Sequence, residues 1–136
     1  MQLFIAALAD GIPLKPAGSK LVIAEWTAPG TPSGISPEWI APLHLHRNDD
    51  EAWYVLEGTL GFRVGDDHIE AEAGQAVIVP GGIPHTYWNP KPETARYIIV
   101  MTANVSSLIA AIHATTNRDA VAMKELFDRF DSELLI

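Results

Sequence analysis

The sequence contains no cysteine among its 136 residues. Disulfide bonds, thiolate metal ligands and cysteine nucleophiles are therefore excluded, and any metal ion must be held by nitrogen and oxygen ligands. Long hydrophobic runs are absent as well, since none approaches the roughly 20 residues needed to span a bilayer. We therefore expect a cytoplasmic protein without a membrane partner. Residues 1–9 are apolar but lack a basic leading segment, so an opening β-strand is favoured over a signal peptide.

Basic residues are also few. The chain has 9 Lys and Arg against 17 Asp and Glu, which gives a formal net charge of −8. A chain this acidic is repelled by phosphate backbones, so we expect a small-molecule ligand and no nucleic-acid partner. With 48% hydrophobic residues the chain can close a core, and its length predicts one domain over residues 1–136.

Proline and glycine divide the first two-thirds of the chain into short apolar or alternating runs, a pattern typical of strands. Strands this short and closely spaced predict an all-β sandwich or barrel. The proline-rich segment 28–42 is predicted to be a loop. The predicted strands are Leu21–Thr27, Ala52–Leu56, Thr59–Val64, His68–Ala71, Ala76–Val79, His85–Trp88 and Arg96–Met101.

The pattern changes after Thr102. Val105, Leu108, Ile109 and Ile112 have the spacing of one helix face, and a second apolar stripe runs from Met123 to Leu134. We therefore predict one or two short C-terminal helices over about 104–134, and we expect the second stripe to pack on the β-core or on a partner subunit. Asn117 is the predicted N-cap of the second helix, with Asp119 in its first turn.

Three of the five histidines lie in two distinctive stretches. His44 and His46 are two residues apart, so on a strand they point to the same face. A polar turn lets Glu51 return on the next strand, and His85 opens a later strand. The alternative carboxylates Asp49 and Asp50 are interpreted as a solvated turn, although a shorter spacing would select Asp50.

These residues form a nitrogen and oxygen site that suits one divalent transition ion: Fe, Mn, Ni, Zn, Co or Cu. Four protein ligands on a six-coordinate ion leave two open positions, as a catalytic site requires. The predicted metal ligands are His44, His46, Glu51 and His85.

Two motifs in the chain resemble those of the cupin superfamily, G(X)5HXH(X)3,4E(X)6G and G(X)5PXG(X)2H(X)3N. The first is matched by His44, His46, Glu51 and Gly58, with Glu38 standing where the family has glycine. Fifteen residues separate the motifs, a spacing similar to that of single-domain microbial cupins. The resemblance spans about residues 21–101. The second motif is matched throughout, by Gly74, Pro80, Gly82, His85 and Asn89.

The resemblance implies a cupin-type double-stranded β-helix, or jelly-roll barrel, with the metal inside and a homodimer formed by strand exchange. It implies less about chemistry, because cupins include oxygenases similar to quercetin dioxygenase, isomerases, decarboxylases and inactive binding proteins. Our first hypothesis is a metal-dependent dioxygenase acting on a small enol, diketone or phenol. The alternatives are a non-catalytic binding or sensor protein and a sugar or keto-acid isomerase. The isomerase has weak support, since only Arg63 and Arg96 lie on predicted strands.

Two residues are candidates for catalytic roles. Glu51 could accept a proton, and Tyr87 shares the face of His85 and could offer its hydroxyl to a substrate. Asn89 is assigned to a turn, and His68 and His113 to the surface. The other candidate pocket walls are Trp53, Phe62, Tyr97 and Met101.

Overall fold

The computed structural model of the chain describes residues 4–8 and 10–135, which contain nine strands and two helices. The strands are β1 (Leu21–Ala28), β2 (His44–His46), β3 (Glu51–Glu57), β4 (Thr59–Val64), β5 (Asp67–Glu72), β6 (Ala76–Val79), β7 (His85–Trp88), β8 (Ala95–Thr102) and β9 (Ser132–Leu134). The helices are α1 (Ala103–Ala114) and α2 (Ala120–Arg129).

The strands form two antiparallel sheets. One has the order β1-β8-β3-β6 and the other β5-β4-β7-β2-β9. Sequence neighbours such as β2 and β3 lie in different sheets, so the chain crosses repeatedly between them, as in a jelly roll. The predicted all-β jelly-roll fold with short C-terminal helices is confirmed.

Alternation of side chains places the core between the sheets. Every second residue of β8 is buried, and β3 follows the same pattern through its first five residues. Because side chains on a strand alternate between faces, each sheet turns one apolar face inward. The largest buried side chains of this layer include Trp53, Tyr97 and Phe62. The candidate site lies in this interior, because the buried side chains of β2, β3 and β7 face it.

Helices α1 and α2 follow the sheets and cover one end of the interior. Thr102 caps α1 by accepting a hydrogen bond from the backbone N–H of Val105. Leu108 of α1 packs with Leu126 and Phe127 of α2 in a separate apolar cluster. The predicted cap at Asn117 is wrong, because Asp119 occupies that position and accepts from the backbone N–H of Ala122 at 2.8 Å. An Asp at the N-cap satisfies the same orphan donor.

The structure corrects two further predictions at the chain ends. The stripe from Met123 to Leu134 was expected to be one helix, but α2 ends at Arg129 and the chain continues as β9. The change of direction occurs at Asp131, whose φ is +55°. At the other end, residues 4–8 form no strand; residues 1–3 and 9, also part of that prediction, lie outside the described residues. Neither helix is long or apolar enough to cross a bilayer within the described part of the chain.

Candidate metal centre

Four side chains from both sheets meet in the interior. His44 and His46 lie on the same face of β2, and His44 pairs in register with His85 of β7. Glu51 is the first residue of β3, in the facing sheet. All four are buried, with between 2% and 8% of each side chain exposed. Two adjacent strands thus supply the imidazoles, and the opposite sheet supplies the carboxylate.

The distances within this cluster are those of groups that can share one ion. One potential ligand atom from each residue lies within 4.8 Å of the others. Glu51 Oε1 is 3.1 Å from His46 Nε2 and 3.3 Å from His85 Nε2. The ring centroids of His44 and His85 are 4.4 Å apart. The cluster is therefore positioned to hold a metal ion.

Each imidazole is oriented by an oxygen behind it. His44 Nδ1 lies 2.6 Å from the carbonyl oxygen of Pro42, and His85 Nδ1 lies 2.9 Å from that of Ile83. A carbonyl oxygen can only accept a hydrogen bond, so Nδ1 carries the hydrogen and Nε2 keeps its lone pair. His46 Nδ1 contacts Ser132 Oγ at 2.7 Å. Metal-binding histidines are held in this way by a partner on the other ring nitrogen.

The electrostatics of the cluster favour the protonation states that bind cations. Burial raises the pKa of Glu51, but the contacts with the neighbouring His46 and His85 outweigh it and lower that pKa to about 2. Burial, together with the neighbouring His85 and His46, lowers the pKa of His44 from 6.5 to about 4. At neutral pH the cluster therefore offers an ionised carboxylate and an unprotonated His44, the forms that bind a metal ion.

The lowered pKa of His44 predicts that the metal-free protein loses stability in mild acid. Between pH 6.5 and about 4 the unfolded chain protonates His44 and the folded chain does not, so the free energy of unfolding falls as the pH falls. The expected contribution between pH 7 and pH 5 is about 2 kcal/mol. Urea unfolding in the presence of EDTA measures it. Because glutamine does not titrate, the free energy of unfolding of His44→Gln is expected to fall by about 2 kcal/mol less than that of the wild type between pH 7 and pH 5. An equal fall in both proteins would contradict the lowered pKa of His44.

The acidic residues beside Glu51 have other contacts. Asp50 is exposed and accepts a hydrogen bond from the backbone N–H of Gly81 at 2.9 Å. Asp49 accepts from Asn104 Nδ2 at 2.8 Å. Both stabilise the loop between β2 and β3. Of the three adjacent carboxylates, only Glu51 belongs to the buried cluster.

A cavity of ≈ 170 Å³ opens from the cluster between the sheets and α1. The described residues that line it include no lysine and no arginine. Besides the cluster, its polar side-chain groups are the hydroxyls of Tyr87 and Tyr97, the imidazole of His113 and the buried indole N–H groups of Trp26 and Trp53. Its apolar walls include Trp26, Ile40, Trp53, Ile99, Val105, Leu108, Ile109, Ile112 and Phe127.

Tyr87 and Tyr97 form a pair on the cavity wall, with their hydroxyl oxygens 2.9 Å apart. Burial raises the pKa of Tyr97 to about 12, and burial also raises the pKa of Tyr87 well above its ordinary value. Both phenols therefore keep their hydrogens at neutral pH. One of the two hydroxyls donates its hydrogen to the other hydroxyl. The second hydroxyl can therefore donate its own hydrogen to a ligand.

Comparison with known proteins places the chain in a family. The sequence model of the cupin domain matches residues 33–101, which is half of the chain. The chain belongs to the cupin family. A segment of 71 residues, 52% of the chain, is 30% identical to quercetin 2,3-dioxygenase of Bacillus subtilis. That segment corresponds to only 21% of the length of the dioxygenase.

Solved cupin structures share the fold. A cupin protein from Bacteroides fragilis superposes with a TM-score of 0.60 over 74% of this chain and 83% of that one, at 12% identity. A sugar phosphate isomerase of the cupin superfamily from Silicibacter pomeroyi gives a TM-score of 0.51 at 22% identity, over 62% of this chain and 51% of that one. At these identities the likeness concerns the fold alone.

The remaining residues singled out in the sequence take varied places in this cupin. Trp53 and Tyr97 line the cavity as expected, whereas Phe62 packs behind Tyr87 in the core and Met101 faces a separate outer pocket. His68 is exposed against Trp88. Asn89 is a turn residue, since its amide donates to the carbonyl oxygens of Ala28 and Glu93 and accepts from the backbone N–H of Lys91. His113 is exposed at the cavity mouth, beside Trp26.

Sequence reasoning missed two contributions of the C-terminal region to the site of this cupin. The face of α1 that carries Leu108 and Ile112 was not among the predicted pocket walls, but it forms a wall of the cavity. Ser132, which contacts His46, was not singled out at all. An apolar helical stripe gives no signal that distinguishes a cavity wall from a core. A lone serine gives none either.

Proposed function

We propose that this cupin is a metal-dependent oxygenase that acts on a small organic substrate with chelating oxygen atoms. In this proposal His44, His46, Glu51 and His85 hold one divalent transition ion. The observation that carries it is a buried His-His-Glu-His cluster that opens into an apolar cavity. The similarity to a quercetin dioxygenase over 71 residues supports the same chemistry. When bound, the ion would act as a Lewis acid that lowers the pKa of an enol or phenol and brings it together with O2.

The side chains of the chain have their own parts in this proposal. The walls formed by α1 and Trp26 exclude water from the reacting groups and bind an uncharged, apolar substrate body. The free hydroxyl hydrogen of the Tyr87–Tyr97 pair orients a second oxygen of the substrate. Glu51 is the candidate acceptor for the substrate's proton, because it is ionised at neutral pH. The cavity volume of ≈ 170 Å³ is below the 300–1,000 Å³ common for ligand pockets, which favours a compact substrate.

The cavity argues against isomerase chemistry on phosphorylated sugars. A phosphate group inside a protein is usually bound by arginine, lysine or a helix N-terminus. Of the cations on the strands, Arg96 pairs with Glu25 and Glu57 and Arg63 with Asp66, outside the cavity lining. The isomerase from Silicibacter pomeroyi thus shares the fold, but this cavity lacks cations for its named class of substrate.

Oxygen uptake tests the proposal. Metal-free protein is reconstituted separately with Fe(II), Mn(II), Co(II), Ni(II), Cu(II) and Zn(II), and each form is mixed with a catechol, a β-diketone and a flavonol in an oxygen electrode. We expect substrate-dependent uptake with at least one redox-active ion, and none with Zn(II) or with His85→Ala. No uptake by any combination would reject the oxygenase. A ligand-dependent rise in Tm without turnover would then establish the binding or sensor protein.

We also propose that the cupin is a homodimer, supported by an apolar row across the outer face of the four-stranded sheet. Ile23, Val100, Ala52 and Ile78 lie side by side in register. Ile23 is 36% exposed and Ile78 68% exposed. Light scattering after size-exclusion chromatography is expected to give twice the chain mass, and Ile78→Lys is expected to give the monomer mass. A monomeric wild type would contradict the proposal.

A further inference from the structure

The C-terminal strand β9 lies beside the strand that carries two of the four cluster residues. β9 pairs antiparallel with β2, with Ser132 opposite His46 and Leu134 opposite His44. Ser132 is fully buried. Its Oγ lies 2.7 Å from His46 Nδ1, on the side of the ring away from Glu51. The serine is therefore in place to fix the orientation of this imidazole.

The donor and acceptor roles in this contact are determined by a second hydrogen bond. The Ser132 hydroxyl donates its only hydrogen to the carbonyl oxygen of Phe130 at 3.0 Å. Its lone pairs are then free, and His46 Nδ1–H is the donor between the two side chains. With the hydrogen on Nδ1, the lone pair of His46 lies on Nε2, which faces Glu51 at 3.1 Å. The serine thus selects the tautomer that can bind a cation inside the cluster.

The position of Ser132 is itself held by the segment around it. The backbone N–H of Arg47 donates to the carbonyl oxygen of Asp131 at 2.8 Å, and that of Leu135 to the carbonyl oxygen of Leu43 at 3.0 Å. The Arg47 guanidinium contacts Asp128 at 2.6 Å and Glu133 at 3.3 Å. These bonds join the turn after α2 to both ends of β2.

We infer that Ser132 is a positioning residue of the metal centre, and that β9 is part of that centre through its contact with His46. The inference rests on the proposed ligation by His46. Without the hydroxyl, His46 Nδ1–H would lose its acceptor in a buried site, and the Nε2–H tautomer would become favourable through its contact with Glu51. That tautomer has no lone pair on the atom that faces the cluster.

Metal affinity tests the inference without any assay of activity. Co(II) is titrated into metal-free wild type, Ser132→Ala and Ser106→Ala, in competition with a chromophoric chelator, and the visible absorption of bound Co(II) is recorded. Ser106 is the matched control, since it is a buried serine on α1 outside the cluster. Loss of a hydrogen-bond partner behind a ligand costs about 10–100-fold in affinity. We expect that loss and an altered Co(II) spectrum for Ser132→Ala, and less than about a twofold change for Ser106→Ala.

A second pair of variants at position 132 distinguishes the effect of the hydroxyl from the effect of side-chain packing. Threonine keeps the Oγ, whereas valine has the same shape without it, so Ser132→Thr is expected to bind Co(II) at least about 10-fold more tightly than Ser132→Val. Equal affinities within this pair, or an affinity of Ser132→Ala equal to that of the wild type, would overturn the inference and leave the metal site intact. Failure of the wild type to bind Co(II), Fe(II) or Zn(II) would instead reject the proposed function and the inference together.

Discussion

Replacing His85 with alanine is expected to abolish stoichiometric metal binding. The substitution removes one of three buried imidazoles. In the wild type, Nε2 of His85 lies 3.3 Å from the carboxylate of Glu51. Loss of a direct ligand costs more than loss of a group behind a ligand, so we expect affinity to fall by more than about 100-fold. Elemental analysis of purified protein and titration with Co(II) or Zn(II) measure the effect. His46→Ala is expected to behave in the same way.

His113 provides the control for the His85 experiment. It is also a histidine of the cavity lining, but it is exposed at the mouth and lies outside the four-residue cluster. His113→Ala is therefore expected to retain the metal content of the wild type. Equal metal content in the three variants His85→Ala, His46→Ala and His113→Ala would refute the assignment of the cluster.

The free energy of unfolding provides a second measurement of the loss of metal binding in His85→Ala. An ion that binds only the folded chain raises the free energy of unfolding by about 2.7 kcal/mol at a concentration 100 times its Kd. The wild type and His113→Ala are expected to gain this stabilisation on addition of metal, and His85→Ala to gain almost none. Each variant is compared with its own metal-free form. The comparison therefore excludes the change in the free energy of unfolding that the substitution of a buried side chain causes without metal.

The cluster could be predicted from the sequence because its geometry follows from strand periodicity. Two histidines at i and i+2 on a strand share a face whatever the rest of the fold does. The glycines of the two motifs fix the turns between the strands. Gly58, for example, has a φ of +75° at the turn between β3 and β4, and a Cβ there would lie 2.7 Å from the carbonyl oxygen of Thr94. Local constraints of this kind are visible in one sequence.

The contributions of the C-terminal region depend on tertiary contacts and could not be predicted. Ser132 reaches His46 only because Asp131 adopts a positive φ and redirects the chain into β9, where the apolar spacing would have continued the helix. Helix α1 forms a cavity wall because it begins directly after β8 and is capped by Thr102. Neither arrangement leaves a periodic pattern in the sequence. Pairing partners 86 residues apart, such as His46 and Ser132, are set by the fold as a whole.

The carboxylate of the site is tested by a pair of amide variants. Glu51→Gln preserves the shape of a side chain that is 6% exposed, but removes the only negative charge of the cluster. A neutral amide is a far weaker ligand for a divalent ion than a carboxylate, and its NH2 group would face His46 and His85. We expect metal affinity to fall by at least about 100-fold, as for loss of an imidazole.

Asp50→Asn is the matched variant for this test, because it makes the same chemical change one residue earlier in the chain. Asp50 is exposed and its carboxylate accepts from the backbone N–H of Gly81, a bond that an asparagine oxygen can also accept. Asp50→Asn is therefore expected to bind metal within about twofold of the wild type, and an exposed contact of this kind changes stability by less than about 1 kcal/mol. The reverse result, with metal lost in Asp50→Asn and kept in Glu51→Gln, would place the acidic ligand in the loop. In that case the contacts of Glu51 with His46 and His85 would be a buried ion-pair network and not a metal site.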